Sequence, residues 1–91
     1  MDKMTWQEFQ NWQRWDEFPE RADNPPLTVD VFFLYEGKGY CIEKDYGSYH
    51  IYTSNWEEVF SRENLKKLLT SPISLFHGKS FADVCDNLEF K

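Results

Sequence analysis

The chain has 91 residues, with ten Lys and Arg set against sixteen Asp and Glu for a formal charge of −6. That length leaves room for one small domain with a modest core. The charge argues against general nucleic-acid binding, which depends on neutralising phosphates with Lys and Arg, and against an anionic membrane surface, while it suits a basic protein partner and would speed that encounter.

Aromatic residues make up 19% of the chain. Each ring can bury about 150–250 Å², so an aromatic core built from elements distant in sequence is expected. The two cysteines, Cys41 and Cys85, are fewer than small secreted domains carry. The first residues, Met1 to Met4, lead into Trp-rich amphipathic sequence and not into an apolar leader. No apolar run approaches the roughly 18 residues of a membrane helix. A reduced, cytoplasmic setting is the expectation.

The first element opens at Thr5-Trp6-Gln7-Glu8, a capping box in which the Thr hydroxyl and the Glu carboxylate each satisfy the other's backbone amide. Met4 and Phe9 stand at the two positions of a hydrophobic staple. A helix over 5–18 is predicted, stopped by Pro19. Its rings, Trp6, Phe9, Trp12, Trp15 and Phe18, recur every three residues. Each step loses about 60°, so the set spirals over about 240° of the helix. Such a helix is either wrapped on two sides or leaves rings at the surface. Trp12 and Trp15 fall on one side with Met4 and Phe18, and Trp6 and Phe9 on another.

Residues 19–26 hold three of the four prolines and no apolar period, which reads as a linker. A meander over 27–53 follows. Its first strand, Leu27 to Tyr35, is apolar in both alternating sets, so cover on both faces is expected. Glu36-Gly37-Lys38-Gly39 and Asp45-Tyr46-Gly47-Ser48 are turns. Strands run from Tyr40 to Lys44 and from Tyr49 to Thr53. A two-residue loop at Tyr46-Gly47 would set Cys41 opposite Tyr52 and His50 opposite Glu43.

A helical part over 54–90 is predicted. Ser54-Asn55-Trp56-Glu57 has the capping-box pattern. A longer helix is expected from about Ser61 to Thr70, with Leu65, Leu68 and Leu69 inward and Pro72 beyond its end. Ser80-Phe81-Ala82-Asp83 opens a last short helix. The fold class is α+β: an N-terminal helix, a three-stranded antiparallel meander and C-terminal helices packed on the sheet, in a single domain over 1–91.

No constellation for catalysis, cofactor or metal emerges. Gly78-Lys79-Ser80 lacks the first glycine of a phosphate loop, since Ile73 stands in its place. Cys41, His50, His77 and Cys85 have the residue types of a zinc site without its close ligand pairs. A Cys41–His50 nucleophilic pair would need an exposed thiolate beside a base. Asp16-Glu17 and Glu57-Glu58 are sequence neighbours, which point apart on a helix.

The tyrosines Tyr35, Tyr40, Tyr46, Tyr49 and Tyr52 gather on the meander among Glu36, Glu43 and Asp45. Base-stacking platforms come with basic surroundings, so direct nucleic-acid contact is not expected. Tyr and Trp also anchor protein interfaces. The chain therefore reads as a small non-catalytic acidic protein-binding module, with Trp12, Trp15, Tyr40, Tyr49 and Tyr52 as contact residues and a basic protein as partner. Two alternatives are an acidic inhibitor, of the kind phages and mobile elements encode, that occupies a basic groove of a nucleic-acid-handling protein, and a self-associating structural protein that forms a homodimer.

Overall fold

A computed structural model describes residues 3–91; Met1 and Asp2, part of the reading of the chain start, lie outside the described residues. The architecture is α+β, with two layers. Five antiparallel strands form one sheet in the order β4-β3-β2-β1-β5, namely β1 (Val31–Tyr35), β2 (Lys38–Asp45), β3 (Ser48–Thr53), β4 (Glu58–Arg62) and β5 (Glu89–Phe90). Helices α1 (Trp6–Trp12), α2 (Leu65–Thr70) and α3 (Phe81–Val84) pack with one face of that sheet. Among the described residues no helix is long and apolar enough to cross a membrane.

The capping box at Thr5 forms: Glu8 N–H donates to Thr5 Oγ1 at 3.1 Å, and Thr5 N–H donates to Glu8 Oε1 at 2.8 Å. Met4 and Phe9 are both buried in the core. The helix ends earlier than expected, at Trp12, and Pro19 does not stop it. Gln13 turns its side chain toward the linker, and Arg14 takes a left-handed conformation with φ 58°. Pro19 instead opens a short 3₁₀ turn, Pro19–Arg21, where its missing N–H costs nothing.

That early break explains the tryptophans. A second 3₁₀ turn, Trp15–Glu17, brings Trp15 back onto Trp6 and Phe9 at 5.7 and 6.1 Å between centroids. Trp6 stacks on Phe9 at 5.5 Å, and Trp12 meets Phe9 and Phe90 edge-on. Phe9 is thus ringed by three indoles, on one side of the helix, while Gln7, Glu8 and Asn11 on the other side are exposed. The separate sides expected for Trp15 and Trp6 merge because the helix does not run on to residue 18.

Gln13 is fully buried and fully satisfied. Its Nε2 donates to the Val29 carbonyl at 3.0 Å, and its Oε1 accepts from the amides of Thr28 and Val29 at 2.8 and 3.0 Å. The Thr28 hydroxyl donates to the Gln13 carbonyl. This side chain fastens the end of α1 to the linker just before β1.

The meander register agrees with the sequence reading: Cys41 faces Tyr52, and Glu43 faces His50. Both hairpin loops have two residues with positive φ, Glu36-Gly37 at 50° and 79° and Tyr46-Gly47 at 52° and 80°. That pair of conformations is the type I′ turn, whose twist suits the flanking strands and whose second position glycine fills without a Cβ penalty.

Two strands were not foreseen. The capping pattern at Ser54 does not cap a helix, because Thr53 takes the role: its Oγ1 accepts from the amides of Asn55 and Glu57 at 3.2 and 3.1 Å. The chain reverses there and pairs as β4, with a bulge opposite Ile51 and Tyr52. The helix expected from Ser61 starts only at Leu65, capped by Asn64, whose Nδ2 also donates to the Asp23 carbonyl at 2.7 Å. The last strand, β5, pairs with β1 through Phe33 and Leu34. Its predecessor α3 opens at Ser80 with the expected box, closed by Asp83.

One alternating set of sheet residues, Val31, Phe33, Tyr40, Ile42, Tyr49 and Ile51, joins the leucines of α2 and the rings Phe9, Phe76, Phe81 and Phe90 in the core.

A candidate protein-docking face

The other alternating set defines the opposite face. Phe32, Cys41, Tyr52 and Glu58 form one row across four strands, and Glu43, His50 and Ser61 form the next. None of these residues belongs to the core cluster. The cover expected on both faces of β1 is therefore present on one face only: Phe32 is 44% exposed although it sits in mid-strand. Trp56, in the β3–β4 loop, is 63% exposed, and Tyr46, in the β2–β3 turn, is 96% exposed. Single exposed apolar residues are common; Phe32 and Trp56 differ in lining one recess together.

The loop conformation of Trp56 adds to this. It follows a turn closed by Trp56 N–H donating to the Thr53 carbonyl at 2.9 Å, and it adopts φ 63°. A three-residue hairpin loop asks for a left-handed residue there, usually glycine. A bulky side chain in that region is a true outlier and costs on the order of 1–2 kcal/mol, the kind of strain that gathers at functional sites.

In that conformation the indole meets the Tyr52 ring edge to face at 5.6 Å. Tyr52 in turn stacks on His50 at 5.3 Å and 15°. His50 is fixed at both ring nitrogens: Nδ1 lies 2.5 Å from Glu58 Oε1 and Nε2 lies 3.1 Å from the Asp45 carbonyl. Glu43, opposite in the ladder, is not its hydrogen-bond partner, because the neighbouring strand β4 brings Glu58 closer. The Tyr52 hydroxyl donates to Asp45 Oδ2 at 3.4 Å. Burial first, then the Asp45 carboxylate, pushes the Tyr52 hydroxyl pKa up, which keeps its proton in place.

Two recesses adjoin Trp56. One, of about 290 Å³, is lined by Phe32, Leu34, Gly39, Cys41, Trp56 and Lys91. The other, of about 360 Å³, is lined by Glu43, Lys44, Asp45, Tyr52 and Trp56. Lys44 belongs to the core-side alternating set, and its ammonium lies 5.7 Å over the Tyr49 ring. The face is thus apolar toward β1 and acidic toward the β2–β3 turn.

The contact residues expected from sequence divide among three places. Tyr40 and Tyr49 are core residues, where they contribute packing and not contact surface. They fall in the alternating set that points at the helices. Trp12 and Trp15 are half-buried on the helical side around Phe9, and the Trp15 indole N–H donates to the Pro26 carbonyl at 2.9 Å. Tyr52 alone of the five lies on the open face. Phe32 and Trp56 were missed. The polar pair Glu43 and His50 marks the outer set of the meander, and following that set along the strands reaches Cys41, Tyr52 and Phe32.

The nucleophile and metal candidates are dispersed. Cys41 lies on the open face and Cys85 in the core, and both are free thiols. Burial raises the Cys41 thiol pKa, with Glu43 adding to the shift, and burial pushes Cys85 up to about 12. Neither is an activated thiolate. His77 reaches Glu36 at 3.3 Å, far from His50 in the fold. Among the described residues no group of three metal-binding side chains converges. Compared with protein-family models, curated proteins and solved structures, the chain matches none of them.

Proposed function

We propose that this chain is a non-catalytic protein-binding module that takes a basic, partly apolar partner on the open face of its sheet. The observation that carries the reading is Trp56: a tryptophan held in a left-handed loop position, exposed, beside an exposed mid-strand Phe32. Folding does not explain either side chain, since neither enters the core. Large aromatic side chains with little rotamer entropy to lose are the residues that anchor interfaces. Glu43, Asp45 and Glu58 on the same face, with the net charge of −6, favour a basic surface opposite. The chemistry of the face supports binding over catalysis, because both thiols stay protonated and both His50 nitrogens are already engaged, which leaves no free base aimed into a recess.

A narrower form of the same reading is the inhibitor that covers a basic groove of a nucleic-acid-handling protein; it requires competition with nucleic acid and release by salt. Self-association through the β4 edge is opposed by its bulge and by the charged Glu58 and Arg62 along it, which are the devices that keep edges from pairing.

The test is capture from a lysate of the source organism, at low and high salt, with three baits besides the natural chain: Phe32→Ser, Trp56→Ala and, on the helical side, the exposed Glu17→Gln. A basic protein retained by the natural chain and by Glu17→Gln, lost with the two open-face variants and released by salt is the expected result. Capture that is indifferent to Phe32 and Trp56 would overturn the reading.

A further inference from the structure

The two recesses share Trp56 as a common wall, and their linings differ in kind. This suggests a ligand that is apolar on one side and cationic on the other. Resting on the docking reading above, we infer that the face recognises an extended segment carrying an aliphatic side chain and, two residues on, an arginine. The aliphatic group fills the recess between Phe32 and Trp56, and the guanidinium lies on the Trp56 ring beside Tyr52, against Glu43 and Asp45.

Three features define that occupant. First, the Tyr52 and Trp56 rings meet at 61° with centroids 5.6 Å apart. Tyr52 already has His50 on one side and Trp56 on the other, so the π-face available to a cation is that of Trp56, which is 63% exposed, and arginine is the side chain most often found over such faces. Second, the carboxylates of Glu43 and Asp45 line the same recess, and a planar guanidinium donates to carboxylates while stacking, which an ammonium cannot match. Third, residues two apart on an extended chain project to the same side, so one segment can place its aliphatic and cationic side chains in adjoining recesses. The floor of the apolar recess is open because position 39 is glycine. A Cβ there would meet Leu34 at 3.7 Å and Ser54 at 3.9 Å, ordinary contacts.

The probe is the capped peptide acetyl-Gly-Leu-Ser-Arg-Gly-amide, titrated into the isotope-labelled protein and followed by two-dimensional NMR. A matched peptide with citrulline in place of arginine keeps the shape and removes the charge. Shifts centred on Phe32, Cys41, Tyr52 and the Trp56 indole, with roughly tenfold weaker binding of the citrulline peptide and of the Glu43→Gln protein, are expected. Gly39→Val should weaken both peptides alike by narrowing the apolar recess. Equal shifts from the two peptides on this face would overturn the arginine site and leave the docking reading standing. Shifts confined to the Trp12 and Trp15 side, shifts that track protein concentration and not peptide, or no shifts at millimolar peptide would also overturn the inference, while the docking reading is decided separately by the capture experiment with Phe32→Ser and Trp56→Ala.

Discussion

The two faces of the sheet are built from the same kinds of residue and are used in opposite ways. On the covered face, Phe33 stacks on Tyr40 at 5.5 Å and meets Phe81 edge-on at 5.5 Å, and Phe81 also meets Phe9 at 5.1 Å. Phe33 and Phe81 each have ring neighbours on more than one element. On the open face, Tyr52 has His50 on one side and Trp56 on the other, and Phe32 stands 44% exposed. Aromatic content alone does not separate a core from a surface. What separates them here is the phase of the strand alternation and which face the helices cover.

Substitutions on the two faces should therefore differ in kind. The largest expected effect is on the covered face. Phe81→Ala removes a fully buried ring that touches four other phenylalanines as well as Trp6, and urea denaturation should show a loss of about 3–5 kcal/mol. For a domain this small, that is enough to unfold much of the population. Next is Gln13→Leu. It leaves the Thr28 and Val29 amides and the Val29 carbonyl without their buried partner, and a loss of roughly 1–3 kcal/mol is expected. Here an apolar side chain of similar size should do worse than the polar one, the reverse of the rule for the rest of that face.

A smaller effect comes from the cap of α3. Hydrogen bonds from the Ser80 backbone and hydroxyl hold the Asp83 carboxyl pKa below its ordinary value of 3.8. A carboxylate with a depressed folded pKa adds stability that is present above the ordinary value and is lost as pH falls through the folded value. Asp83→Asn should accordingly be less stable than the natural chain at neutral pH, and the gap in thermal midpoint should close as the pH drops below 3.8. A gap that persists unchanged in acid would place the cost in packing and not in charge.

Much of this frame could be read from the residues. The caps at Thr5 and Ser80, the two hairpins and the Cys41–Tyr52 and Glu43–His50 register all follow from local rules that the structure obeys. The failures have physical causes. The helix over 5–18 breaks because Gln13 bonds to residues 28 and 29, a tie across the linker that no local pattern announces. Strand β4 was hidden by a Ser-x-x-Glu pattern whose capping work Thr53 performs instead. Tyr40 and Tyr49 read as contacts in the sequence because tyrosine suits either face of a sheet. The charged and polar positions Glu43 and His50 held the better signal, since they fix which alternating set faces away from the helices. Trp56 was beyond local rules, since a left-handed tryptophan contradicts the preference of its position.

The central claim is that Phe32 and Trp56 serve contact and not folding. The direct test is the urea midpoint of the double variant Phe32→Ser, Trp56→Gly against the natural chain. Glycine relieves the left-handed strain, worth about 1–2 kcal/mol, and gives up the contact with Tyr52, worth about 0.5–1.5 kcal/mol. Those two terms sum to between a loss of about 0.5 and a gain of about 1.5 kcal/mol, and replacing the partly covered, mid-strand Phe32 costs about 1 kcal/mol, so the expected result is a midpoint near that of the natural chain, with a loss of no more than about 1.5 kcal/mol. A loss approaching that of Phe81→Ala would show that the open face holds the fold together, and would contradict the claim.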